Sequence, residues 1–329
     1  MSSPQRKPGG HRGPAPTSRS HVKAGILRNF LSVTDLSPGE IISVVERASA
    51  FKQGAPSDAL AGKVGVMIFD KPSLRTKLSF DVGIGKLGGR AIYFSHEEIG
   101  VDFRETAENI GRVVSRMSDF AMVRTFEHSK VERLAIAASI PVINALTDGE
   151  HPCQALADLQ TIRETKGSYQ GFKIAYVGDG NNVAASLALA VASVGGSLTI
   201  GSPEGYQLPE DVLRKAQAIA SETGGTIEQV TSPEAAVSDA SIVYTDVWTS
   251  MGQEAESRVR KKDFVGYQVN PQLLENAAPE VKIMHDLPAH PGEEVSVGLL
   301  EEPRSIVFDQ AENRLHAQMG LMDFLLSDG

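Results

Sequence analysis

The stretch FDKPSLRTKLSFDVG, Phe69 to Gly83, ends an apolar, strand-like run at a proline and then sets Ser73, Arg75, Thr76 and Lys77 within five residues. Pro72 followed by Ser73 predicts a helix entry, because a serine at the N-cap accepts a bond from backbone N–H groups that have no partner inside the helix. Those N–H groups also point at anions. With the positive end of the helix dipole and an arginine in the first turn, they suit a phosphate or a carboxylate.

Three further stretches carry chemistry. In HPCQALADLQ, His151, Gln154 and Asp158 are spaced i, i+3 and i+7 and share one helix face. His151 precedes a proline near a helix start, where an imidazole can polarise a carbonyl beside a bound anion. In YVGDGNNVAASLALAV a strand runs into Gly178-x-Gly180 and then a helix, as in a dinucleotide fingerprint. The third glycine is missing, since position 183 is valine, and the next strand ends in Gly201 and Ser202 without the acid that would bind a ribose hydroxyl. Asn181 and Asn182 offer instead amide donors and acceptors suited to the carboxylate and ammonium of an amino acid. In TDVWTSMGQE, Asp246 and Ser250 flank the only tryptophan and could receive an α-ammonium group. No cysteine pair or histidine cluster has metal spacing, and His285 with Asp286 is too sparse for zinc, so no metal and no cofactor are expected.

These residues must be positioned by a frame, and the frame is legible. Strand-like runs alternate with helical stretches: KVGVMIF, RAIYFS, FAMVRTF and IPVINAL in the first half, then KIAYVGDG, SLTIGSP, TIEQVTS, SIVYTDVW and VKIMHDLP in the second. Such alternation predicts two doubly wound α/β domains with parallel sheets. Ligands of such sheets bind beyond the carboxyl ends of the strands, which is where the polar clusters fall. A boundary near residue 150 is expected, giving domains 25–150 and 151–329 joined by interdomain helices, with the last helix, about 311–326, packing back on the first domain.

Composition narrows the classes. The 329 residues are 41% hydrophobic and 22% charged, with no apolar run approaching the roughly 18 residues of a membrane span. Residues 1–24 are basic, free of acids and rich in proline, which predicts a disordered tail. A transit peptide is also basic, but needs an amphipathic helix that these prolines and glycines oppose. The net charge of −9 becomes −14 once the tail is set aside, which repels polyanions, so nucleic acid is an unsuitable partner. A single cysteine, Cys153, cannot form an intrachain disulfide and points to a reducing, cytoplasmic compartment.

Taken in order, SLRTKLSF, VRTF, HPCQALAD, GDGNNVAAS, DVWTSMGQE, HDLPAHPGEEV and AENRLHAQM resemble the aspartate and ornithine carbamoyltransferase superfamily, from about residue 25 to the C-terminus. The Ser–Met–Gly loop points to its ornithine branch. The resemblance implies transfer of a carbamoyl group from carbamoyl phosphate to the side-chain amine of L-ornithine, giving citrulline and phosphate in arginine metabolism, by a homotrimer with sites near subunit boundaries. It implies that Ser73, Leu74 (through its backbone), Arg75 and Thr76 bind the phosphate. Arg124, His151, Gln154 and Arg314 then contact the phosphate and carbamoyl group, with His151 and Gln154 expected to stabilise the oxyanion. Asn182, Asp246, Ser250, Met251, Asp286 and Leu287 form the ornithine site.

Two positions depart from the family pattern. Leu74 stands where threonine is usual, and Asp286 where cysteine is usual. The second change sits beside the reacting amine. Two other readings follow from single features: a nicotinamide-dependent dehydrogenase, resting on Gly178-x-Gly180 alone, and a catalytically silent binding protein, motivated by Leu74 and Asp286.

Overall fold

The computed structural model describes residues 27–250 and 252–327; the basic tail expected over 1–24 and Met251 lie outside the described residues. Among the described residues nine strands form two parallel sheets. The first contains β1 (Val64–Phe69), β2 (Arg90–Ser95), β3 (Phe120–Arg124) and β4 (Val142–Leu146) in the order β2-β1-β3-β4. The second contains β5 (Lys173–Val177), β6 (Ser197–Gly201), β7 (Thr226–Val230), β8 (Ala240–Thr245) and β9 (Lys282–His285) in the order β7-β6-β5-β8-β9. Every strand lies within or close to one of the nine strand-like runs; the inner strands, buried on both faces, read as continuous apolar segments, whereas the edge strands β2 and β7 are only partly buried.

Both sheets reverse their winding beside their first strand. In the first, β1 pairs with β2 on one side and β3 on the other, with Phe69 opposite Arg124. In the second, β5 lies between β6 and β8, with Val177 opposite Thr245. At such switch points the connections leave in opposite directions and open a crevice at the carboxyl ends. The segments that follow β1, β5 and β8 carry Ser73, Asn182 and Asp246, and Arg124 is the last residue of β3.

Two helices join the halves. Pro152–Lys166 follows β4 and is buried along most of its length. Val307–Leu326 follows the second sheet and packs against Pro38–Lys52 and Leu74–Lys86 of the first half as well as against Pro152–Lys166. A helix apolar on most sides is stable only when covered on most sides. These two supply side chains to the crevice from its floor.

Candidate active site

The site begins where β1 stops. Ser73 is the N-cap of helix Leu74–Lys86, and its Oγ accepts the Thr76 N–H at 3.2 Å. The N–H groups of Leu74 and Arg75 bond to nothing among the described residues. Thr76 Oγ1 accepts from Ser73 Oγ at 2.9 Å, from Arg314 Nη2 at 3.1 Å and more distantly from Arg124 Nη1 at 3.4 Å. Three elements far apart in sequence thus converge on one helix N-terminus.

The resulting cluster is cationic and unneutralised. Arg75, Arg124 and Arg314 form no ion pair with a carboxylate among the described residues, and Nε of both Arg124 and Arg314 is buried without a partner. Burial and the neighbouring charges of Arg314 and Arg75 pull Arg124 down to about 10, still protonated at neutral pH. His151, the N-cap of Pro152–Lys166, is buried against the same arginines. Burial and then Arg314, Arg124 and Arg75 depress its pKa far below the usual histidine value, so it is a neutral imidazole with one N–H to donate. Its backbone N–H is held by Ser186 Oγ at 2.9 Å.

Gln154 lies one turn further on. Its Oε1 accepts from Arg314 Nη1 at 2.6 Å and its Nε2 donates to Asp158 Oδ1 at 2.8 Å. The amide nitrogen is therefore turned to Asp158, and the oxygen is the atom beside the cationic cluster. That orientation differs from the expectation of Gln154 as an oxyanion donor.

The opposite wall comes from the second sheet. Asn181 caps helix Asn182–Ser193 through Oδ1, which accepts from Val183 and Ala184, while its Nδ2 donates to Asp246 Oδ2 at 2.7 Å. Asn182 Nδ2 donates to the Thr147 carbonyl at 2.6 Å, bridging to the loop after β4. Asp246 and Asp286 follow β8 and β9, whose last residues Thr245 and His285 are paired. Burial raises both carboxyls, and the neighbouring Asp286 raises Asp246 further. Leu287 has φ 60°, which turns its N–H onto His285 Nδ1 at 2.9 Å. Ser250 is half-buried at the rim, its N–H donating to Gln253 Oε1 at 3.1 Å.

These walls enclose a cleft of about 960 Å³ lined from both halves, with Ser73, Arg75, Arg124 and His151 on one side and Asn182, Asp246, Ser250 and Asp286 on the other. Such an arrangement suits a small phosphate ester or anhydride at the arginine end and an amino acid at the carboxylate end. Asp246, His285 and Asp286 bring three donor atoms within 4.8 Å of one another. Both ring nitrogens of His285 are engaged, Nδ1 by Leu287 and Nε2 by buried Glu294 at 3.1 Å, which leaves two carboxylates for any ion.

Family models match both halves: the carbamoyl-P binding domain of aspartate/ornithine carbamoyltransferase over residues 28–164, and the Asp/Orn binding domain over 170–325. The chain belongs to the aspartate/ornithine carbamoyltransferase family. It is 48% identical over 303 residues to the ornithine carbamoyltransferase of Thermococcus kodakarensis, covering 91% of this chain and 96% of that protein. It is 49% identical over 304 residues to that of Symbiobacterium thermophilum, covering 91% and 98%. The solved ornithine carbamoyltransferase of Pyrococcus furiosus superposes with a TM-score of 0.88 at 46% identity, covering 91% of this chain and 97% of that one.

Within this carbamoyltransferase fold, the Gly178-x-Gly180 turn has a packing role. A Cβ at Gly180 would lie 2.4 Å from the backbone of Gln207 and Leu208, and the Gly180 N–H donates to Tyr206 O at 2.7 Å. The turn is filled by protein.

Two further residues line the cleft that the sequence reading did not single out, Lys71 and Arg260. Lys71 is buried at 5% side-chain exposure, pairs with Asp148 at 2.6 Å and lies 4.0 Å over the Phe126 ring. Arg260 bonds Asp179 at 2.7 Å and the Trp248 carbonyl at 3.1 Å, tying the segment after Ser250 to the turn after β5. Lys71 is adjacent to the Ser73 cluster and could have been suspected. Arg260 could not, because its partner is 81 residues away.

Proposed function

We propose that the chain transfers the carbamoyl group of carbamoyl phosphate to the side-chain amine of L-ornithine, giving L-citrulline and phosphate. The observation that carries this reading is the single cleft with a carboxylate-free triple-arginine cluster at one end and the Asp246–Asp286 pair at the other. The free N–H groups of Leu74 and Arg75, with Arg75, Arg124 and Arg314, hold the phosphate. Leu74 costs one hydroxyl but not the backbone donor. Thr76, accepting from its neighbours, keeps its own hydroxyl proton for a phosphate oxygen.

Neutral His151 donates to the carbamoyl oxygen, and Gln154 Oε1 accepts from the carbamoyl nitrogen. A donor aimed at a developing oxyanion is worth about 3–4 kcal/mol. Ornithine lies with its amino-acid end toward Asn182 and Ser250 and its chain along Asp246, Asp286 and Leu287. Its amine attacks the carbonyl carbon, the carbon–oxygen bond to phosphate breaks, and the proton of the attacking nitrogen passes to the carboxylate pair. The nucleophile belongs to the substrate, so no activated serine or cysteine is needed.

A homotrimer is part of the reading. Leu74, Leu78 and Val82 form an i, i+4, i+8 stripe on the first half, 75%, 57% and 38% exposed, next to the cleft. A second copy covering it would bring subunit boundaries to the sites. Among the described residues no helix is long and apolar enough to cross a membrane, and buried, unpaired Cys153 fits a reducing cytoplasm. Purified protein supplied with both substrates should yield citrulline. Carbamoylation of putrescine or aspartate with no citrulline would overturn the substrate, and calorimetric binding of carbamoyl phosphate without turnover would favour a silent binding protein. Sedimentation gives the assembly.

A further inference from the structure

Asp158 lies below the floor of the cleft, fully buried, and takes three hydrogen bonds from three elements. Gln154 Nε2 reaches Oδ1 at 2.8 Å from one turn earlier on the same helix. Gln310 Nε2 reaches the same oxygen at 2.7 Å from helix Val307–Leu326. Tyr244 on β8 donates to Oδ2 at 3.3 Å. Both glutamine amides are oriented from their far ends as well. Gln154 Oε1 accepts from Arg314, which can only donate, and Gln310 Oε1 accepts the backbone N–H of His285 at 2.9 Å. Each amide must therefore turn its nitrogen to Asp158. One carboxylate oxygen satisfies both.

We propose that Asp158 is a positioning residue: through Gln154 it fixes the acceptor oxygen shown to the carbamoyl nitrogen, and through Gln310 and the His285 N–H it fixes the backbone that carries Asp286 to the amine. This rests on the carbamoyl-transfer reading above. What the geometry asks of residue 158 is an acceptor at Oδ1. Burial pushes the carboxyl up to about 7, against the hydrogen bonds that favour its charge, so it is held at a disadvantage that an apolar side chain of the same size would avoid.

The test compares carbamoyl phosphate with acetyl phosphate, in which a methyl group that cannot donate replaces the amino group. A site built to accept an N–H rejects the analogue without it. Wild-type enzyme should therefore bind carbamoyl phosphate at least about tenfold better, read as its KM against the inhibition constant of acetyl phosphate. Asp158→Leu should raise the KM for carbamoyl phosphate about tenfold, leave acetyl phosphate within about twofold and raise the KM for ornithine. Asp158→Asn should restore both, since an amide oxygen placed at Oδ1 accepts the same two bonds. If Asp158→Leu does not fold, Asp158→Ser carries the same comparison. An unchanged ratio in the Leu or Ser variant overturns the proposal, as does an Asn variant that fails as they do. A wild-type enzyme that does not discriminate overturns the reading of Gln154 itself, and the proposal with it.

Discussion

An oxygen of Asp246 and an oxygen of Asp286 lie within 4.8 Å of one another at the ends of two paired strands, Asp246 buried and Asp286 13% exposed at its side chain. Attack on the carbamoyl group requires a free amine, and an alkylammonium of this kind has a pKa near ~10.4. A carboxylate beside it favours the charged, unreactive form unless it also takes the proton. Asp286→Cys removes that charge, so the amine loses its proton more readily. The rising limb of kcat/KM for ornithine should move to lower pH with substantial activity kept. Profiles of both proteins at subsaturating ornithine check this, and superimposable limbs would remove Asp286 from the chemistry.

His151 gives a second pH prediction of opposite kind. Its folded pKa is depressed by burial and by Arg314, Arg124 and Arg75, so it is already neutral well below the ordinary histidine range. No inflection near pH 6.5 should belong to it. His151→Ala should lower kcat about 10²–10³-fold, the loss of one oxyanion donor, without moving the limbs. A limb that disappears in the variant would show that His151 titrates.

Arg75 is half-buried and makes no ion pair among the described residues, so its charge contributes little to folding. Arg75→Ala should raise the KM for carbamoyl phosphate and lower turnover by orders of magnitude while the melting temperature stays close to wild type. Wild-type kinetics in the variant would reduce Arg75 to a solvated helix residue.

Gly252 follows the Ser–Met pair with φ +96°, and a Cβ there would sit 3.3 Å from Cε1 of Phe126, which belongs to the first half. Gly252→Ala meets a backbone penalty of about 1–2 kcal/mol and pushes the loop off that ring. The expected result is a KM for ornithine raised several-fold with little change for carbamoyl phosphate. Equal changes for both substrates would place the loop elsewhere in the cycle.

The sequence by itself determined the nine strands and the positions of the polar clusters, because both are local. Apolar runs bounded by Gly, Pro and Asn punctuation define strands, and a parallel sheet then requires its ligands at the strand ends. The Ser73 cap was legible for the same reason: Pro, Ser and Thr within a few residues suffice to set it. Tertiary structure decided how the side chains face. Arg124, Arg314 and Thr76 meet only because β3 and the C-terminal helix are brought against one helix N-terminus. The direction of the Gln154 amide is fixed by Arg314, 160 residues on, and Gln310 reaches Asp158 across 152. No spacing rule spans such separations. The upward shift of the Asp246 and Asp286 carboxyls comes from burial, which only packing makes.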